Sequence, residues 1–151
     1  MTSLEVISLA GLLSGVLDLT ATSTLVRTQG VPFERLLQRI ASGALGPSAF
    51  EGGKKTATTG LFFHFLISFT AAFIYYASSR KLAILIDHPL LSGVLYGAAV
   101  HLVMNRIVIP LSAAAIPFSV KAFLTQLVIH ILFIGLPIAL VVAHLARETW
   151  S

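Results

Sequence analysis

Four long apolar stretches constrain the fold of this 151-residue chain more than any other feature. A membrane-spanning helix needs about 20 mostly apolar residues. The stretches cover residues 6–26, 57–78, 90–109 and 121–146, and charged residues or prolines lie at or near most of their ends. Together they take up more than half of the chain. The sequence therefore predicts an all-α integral membrane protein, a bundle of four transmembrane helices in a single domain covering 1–151.

The composition excludes the other common classes of protein. Hydrophobic residues make up 56% of the chain and charged residues only 11%, whereas a soluble domain carries about 25% charged residues. This excludes an ordinary soluble fold, a disordered chain and a nucleic-acid-binding module. The net charge of +4 is better explained by anionic lipid. The expected partner is the lipid bilayer and not a nucleic acid, and the lack of cysteine excludes disulfides and thiolate sites.

The distribution of lysine and arginine predicts the orientation. With four spans, both termini lie on one side and the first and third linkers on the other. The linker side carries seven basic residues: Arg27, Arg35, Arg39, Lys54, Lys55, Arg106 and Lys121. The terminal side carries three, namely Arg80, Lys81 and Arg147. The positive-inside rule predicts cytoplasmic linkers and external termini, with Tyr75, Tyr76 and Trp150 as an outer aromatic belt.

The first linker contains its own helical pattern. Pro32, Phe33, Leu36, Leu37 and Ile40 recur at helical spacing with polar residues between them. Proline suits the first turn of a helix. We expect a short amphipathic helix here, lying on the cytoplasmic face of the membrane.

The chain also repeats itself. The run LLSGVL at 12–17 recurs unchanged at 90–95, and a proline follows each copy at the same offset. Spans 2 and 4 match more weakly. The pattern predicts two repeated helical hairpins in parallel orientation, as found in some transporters. Small residues four apart let helix backbones approach closely, and the predicted packing residues are Gly11, Gly15, Gly93 and Gly97.

One ionisable residue lies at the same depth in each span. Each is nine residues from a charged residue or a proline at the linker end of its span, roughly 13–14 Å along a helix. The four residues are Asp18, His64, His101 and His130. One turn closer to the cytoplasm lie the predicted supporting residues Thr22, Asn105 and Gln126. Ionisable residues inside a membrane are functional candidates by default.

Several kinds of chemistry remain open for this layer. Three imidazoles and a carboxylate suit a divalent metal ion, and the same groups suit a proton relay. Two histidines can also ligate a b-type haem. The structural alternative is that they only join helices by hydrogen bonds, worth about 0.6–2 kcal/mol each. Without a nucleophile motif, an enzyme is disfavoured. The sequence favours an accessory or transport-type protein, with a structural or interaction subunit of a larger membrane complex, or a homo-oligomer, as the alternative.

Short motifs along the chain carry a family resemblance. They are GGKKTA at 52–57, GLFFH at 60–64, YG at 96–97, MN at 104–105 and PLSA at 110–113. In these the chain resembles a family of small bacterial inner-membrane proteins called YagU-like. The resemblance implies four helices in a bacterial cytoplasmic membrane. It implies no particular activity.

Overall fold

A computed structural model describes residues 1–149, with side chains as far as Leu145. The predicted Trp150, and the side chain of Arg147, lie outside the described part. Within it the regular elements are helices, and four are long and apolar enough to cross a membrane, which confirms the coarse fold prediction. We call them spans 1 to 4, and they cover Ser3–Thr28, Gly53–Ser79, Pro89–Leu111 and Val120–Leu145.

The spans pack in the lateral order 2, 1, 4, 3. Span 1 contacts both span 2 and span 4, and span 3 packs mainly against span 4. The buried core lies toward the terminal side, where Val6 and Ala10 of span 1 meet Tyr75 of span 2 and Ile138 and Val142 of span 4. Spans 1 and 4 are therefore the inner helices, each with a neighbouring span on both sides.

The first linker forms the expected helix. The linker helix, Phe33–Leu45, is followed by a 3₁₀ turn over Gly46–Phe50. Its apolar residues Leu36, Leu37 and Ala41 are buried, and the helix packs along span 2. A Cβ atom at Gly60 would collide with the carbonyl oxygen of Leu37. This apolar face is thus covered largely by span 2. An amphipathic sequence pattern does not tell whether the apolar face of a helix packs on protein or on lipid.

Hydrogen bonds tie the chain together at both ends of the bundle. On one side, the backbone N–H of Ala113 in the third linker donates to the carbonyl of Gly43, at 2.9 Å. On the other, the Tyr76 hydroxyl lies 2.8 Å from the Ser3 hydroxyl, and Tyr75 donates to the carbonyl of Leu85, at 2.9 Å. Both tyrosines are buried, so the prediction that they form a lipid-facing belt is wrong. Their hydroxyls hold the terminal end of the bundle together instead.

Spans 3 and 4 each contain one π turn. In span 3 the α-helix Pro89–Val103 is followed by a π turn over Met104–Val108, and in span 4 the α-helix Val120–His130 is followed by one over Ile131–Gly135. Each turn ends two residues before a proline, Pro110 or Pro137. Proline lacks an N–H and clashes with the carbonyl four residues earlier. The wider turn relieves that clash, and it lies beside a histidine in both spans.

Candidate functional site

Span 1 presents a line of polar side chains to the interior. Ser14, Asp18 and Thr22 follow at four-residue intervals, about 6 Å apart along the helix. Asp18 is only 8% exposed, and Ser14 is fully buried with its hydroxyl donated to the Gly11 carbonyl. Asp18 Oδ1 and Thr22 Oγ1 are buried and have no hydrogen-bond partner among the described residues. Burying a carboxylate without a partner is strongly unfavourable, so these oxygens mark a site that needs a proton or a cation.

His64 of span 2 approaches span 1 directly. Its Nε2 lies 2.8 Å from the backbone carbonyl oxygen of Gly15 and therefore carries the donated hydrogen. In a neutral imidazole the other nitrogen, Nδ1, is then an acceptor. Asp18 lies close enough to His64 to interact with it electrostatically.

His130 of span 4 is held in a similar way. Its Nδ1 donates to the backbone carbonyl of Gln126, at 2.8 Å, which leaves Nε2 as the acceptor of the neutral ring. The predicted supporting residue Gln126 thus acts through its backbone here. His130 also lies within electrostatic range of Asp18.

His101 of span 3 completes the set. Its side chain is fully buried, and its ring centroid lies 5.2 Å from that of His130 and 4.5 Å from that of Phe123. Asn105 Nδ2 donates to the His101 carbonyl at 3.1 Å and lies 3.2 Å from its Nδ1. Asn105 therefore touches the ring that it was predicted to support.

The four ionisable residues form a row across the bundle, His64–Asp18–His130–His101, in the lateral order of the spans. We call it the Asp/His row. Because His64 and His130 give their N–H groups to backbone carbonyls, their remaining ring nitrogens are acceptors in the neutral form. Each of these rings can therefore take up a proton, as can the unpartnered Asp18 carboxylate. Such a site favours the uptake of a proton or a cation.

A transition-metal centre gains no support from the geometry. Among the side chains that the structure describes, as far as Leu145, no three of His, Cys, Asp and Glu are arranged to hold a metal ion. The His101 and His130 ring centroids lie 5.2 Å apart at an interplanar angle of 60°, which leaves no room for a haem plane between these two rings.

The glycines named from the sequence lie at close helix contacts. A Cβ at Gly11 or Gly15 would press on Phe69 or Phe65 of span 2, and one at Gly93 or Gly97 on Leu136 or Ile131 of span 4. The contacts at Gly11 and Gly15 bring spans 1 and 2 close enough for His64 to reach the span 1 backbone. Gly135 was not predicted to be a packing residue, yet a Cβ there would collide with the Gly93 carbonyl. Its position beside Pro137 was the available signal.

Comparison with known proteins does not place the chain in a family. No family model, no curated protein and no solved structure matches it. The resemblance to the YagU-like proteins therefore stays a prediction.

Proposed function

We propose that this chain is a transport-type membrane protein whose Asp/His row takes up and releases protons. The observation that carries the proposal is Asp18, an almost fully buried carboxyl group with an unpartnered oxygen in the interior of a membrane-spanning helix. An isolated charge is unstable in such surroundings, so the group is driven to bind a proton. His64 and His130 lie within electrostatic range of Asp18, and we propose that they exchange this proton with it.

The line of side chains along span 1 supplies a direction for this exchange. Ser14, Asp18 and Thr22 lie along one face of the helix, roughly parallel to the membrane normal, whereas the Asp/His row runs across the bundle. The line along span 1 and the Asp/His row cross at Asp18. Chains of Asp and His side chains carry protons in membrane pumps and transporters, and the π turns of spans 3 and 4 are of a kind often found at functional sites.

The proposal also covers the repeated hairpins and the orientation of the chain in the membrane. We assign the two halves to repeated hairpins, on the support of the LLSGVL repeat and of glycine contacts within each half. We assign the linkers to the cytoplasm and the termini to the outside of a bacterial inner membrane. The support is the excess of basic residues on the linker side, seven against three, together with the family resemblance.

Two measurements on the purified, reconstituted protein test proton binding. Infrared spectroscopy should show the band of a protonated buried carboxyl group. Asp18→Asn should remove this band, and Asp87→Asn, at an exposed position in the short helix Ile84–Asp87, should leave it unchanged. Liposomes with a trapped pH dye should show proton flux that Asp18→Asn abolishes in a variant that still elutes as the wild type does. Flux that is unchanged in Asp18→Asn, together with no carboxyl band at any pH, would overturn the proposal.

A second function, a subunit of a larger membrane complex or of a homo-oligomer, is favoured by span 3. Only 11% of its apolar window is buried inside the structure, against 28% to 39% for the other spans. Span 3 therefore leaves the largest share of its apolar surface for a partner helix to cover. The mass of the protein in mild detergent separates the two functions, because stable co-purification with a large partner supports a subunit and an isolated monomer or dimer does not.

A further inference from the structure

Thr22 differs from the other threonines of the described chain. A threonine inside a helix usually gives its hydroxyl hydrogen to the carbonyl four residues earlier. Thr20 and Thr24, its neighbours on the same span, do so at 2.7 and 2.8 Å. Every other threonine hydroxyl within residues 1–145 takes part in a hydrogen bond. The Thr22 oxygen is buried and has none.

The unpartnered oxygen of Thr22 lies one turn from that of Asp18. Residues four apart share a helix face and are neighbours on it. Asp18 is more than nine-tenths buried, so its carboxylate faces the protein interior rather than water. Two buried oxygens of this kind, one of them on a carboxylate, are the hard ligands that alkali and alkaline-earth cations prefer.

We propose that Asp18 Oδ1 and Thr22 Oγ1 are ligands of a small alkali cation such as Na⁺, which takes the place of the proton on Asp18. This inference rests on the proposed function, because it names the second ion that the same carboxyl group handles. The exchange is balanced: Na⁺ enters, the carboxyl O–H bond breaks, and the proton leaves to solvent.

The charge of the site selects a monovalent ion. Asp18 contributes one negative charge, and the groups that face it from the packed spans are His64 of span 2 and His130 of span 4. The His101 ring of span 3 contacts that of His130, at a centroid distance of 5.2 Å and an interplanar angle of 60°. With neutral imidazoles, Na⁺ leaves the site uncharged. A divalent ion would leave an uncompensated positive charge in the membrane interior, which is unfavourable.

The test uses the full chain in detergent and three variants of span 1. Thr22→Val removes the oxygen at nearly constant shape, Thr22→Ser keeps it, and Thr20→Val is the matched control at an exposed position. The thermal unfolding midpoint is followed with NaCl, KCl, MgCl₂ and choline chloride at equal ionic strength. Proton release on adding NaCl is followed with a pH indicator in weak buffer, at a pH where the infrared spectrum shows a protonated carboxyl group.

We expect NaCl, but not choline chloride, to raise the midpoint and release protons. Thr22→Val should weaken the apparent affinity for Na⁺ by about tenfold, as expected for one lost bond to a charged group. Thr22→Ser and Thr20→Val should bind as the wild type does. The inference is overturned if only MgCl₂ raises the midpoint, if Thr22→Val binds Na⁺ unchanged, or if NaCl releases no protons. Those results leave the infrared test of Asp18 intact, so they are distinguishable from failure of the proposed function.

Discussion

His64 on span 2 donates a hydrogen bond to the backbone carbonyl of Gly15 on span 1, at 2.8 Å. Gly15 permits this contact because it has no side chain: a Cβ there would lie 2.8 Å from the Phe65 ring. The missing side chain thus allows the close approach that orients a candidate proton-binding ring. Packing and chemistry are coupled at this point of the bundle.

The first prediction concerns this bond. His64→Ala should lower the free energy of unfolding by about 0.6–2 kcal/mol, the range for an interhelical hydrogen bond in a membrane protein. The measurement is equilibrium unfolding in mixed micelles. His144→Ala, at an exposed position of span 4, is the control and should change little. Equal losses in the two variants would show that the bond contributes nothing specific.

The second prediction concerns the contact between the linker helix and span 2. Gly60→Ala places a Cβ against the Leu37 carbonyl oxygen, so the linker helix must shift. We expect a loss of about 1–3 kcal/mol, typical of overpacking. Gly43→Ala is the matched control, since the nearest atom to its Cβ would be Ser112 Cβ, at 3.8 Å. If Gly60→Ala unfolds as Gly43→Ala does, the helix does not pack as described.

The third prediction concerns Arg35, which anchors the 3₁₀ turn. Its Nη1 donates to the Phe50 carbonyl at 3.2 Å, and its guanidinium lies 4.3 Å from the centre of the Phe50 ring. Arg35→Ala should cost about 0.5–1 kcal/mol, the scale of an exposed cation–π contact. The measurement is the thermal unfolding midpoint of Arg35→Ala, compared with that of the control variant Arg39→Ala. We expect a lower midpoint for Arg35→Ala alone. An equal shift in the two variants would show that the contact of Arg35 with Phe50 does not stabilise the turn.

The fourth prediction concerns topology. The chain has no native cysteine, so single cysteines report position cleanly. Ala44→Cys and Ala115→Cys, in the first and third linkers, should be labelled from the same side by a membrane-impermeant reagent. Ala83→Cys, in the second linker, should be labelled from the opposite side. Labelling of positions 44 and 83 from one side would contradict the four-span arrangement.

The four spans were predictable because length and apolarity alone decide whether a helix can cross a membrane. The position of the linker helix was not, since Leu36 and Leu37 satisfy a lipid surface and the side of span 2 equally well. Tyr75 and Tyr76 were misplaced for a related reason, because aromatic residues near a span end suit a headgroup layer or a buried junction with a loop.

The candidate site was predictable in its members but not in its bonds. Polar residues stand out in apolar helices, so the sequence singles out Asp18 and the three histidines. It does not indicate that Gln126 contacts His130 through its backbone, since side-chain identity carries no information about that bond. The π turns were equally hidden, because Pro110 and Pro137 require relief of a clash without specifying its form.

The π turns also bear on how the chain tolerates insertions and deletions. In each turn a backbone N–H reaches back five residues, from Ile109 to Met104 and from Leu136 to Ile131, so the span holds one residue more than a continuous α-helix would over the same length. One residue corresponds to about 100° of helical rotation. A single deletion within Ile131–Gly135 can be absorbed by closing the turn, leaving both flanks in register with their neighbours. Span 1 has no π turn, so a deletion there cannot be absorbed in this way. It would rotate one flank of the helix relative to the other, and either Asp18 or the glycines before it would turn away from the neighbouring spans.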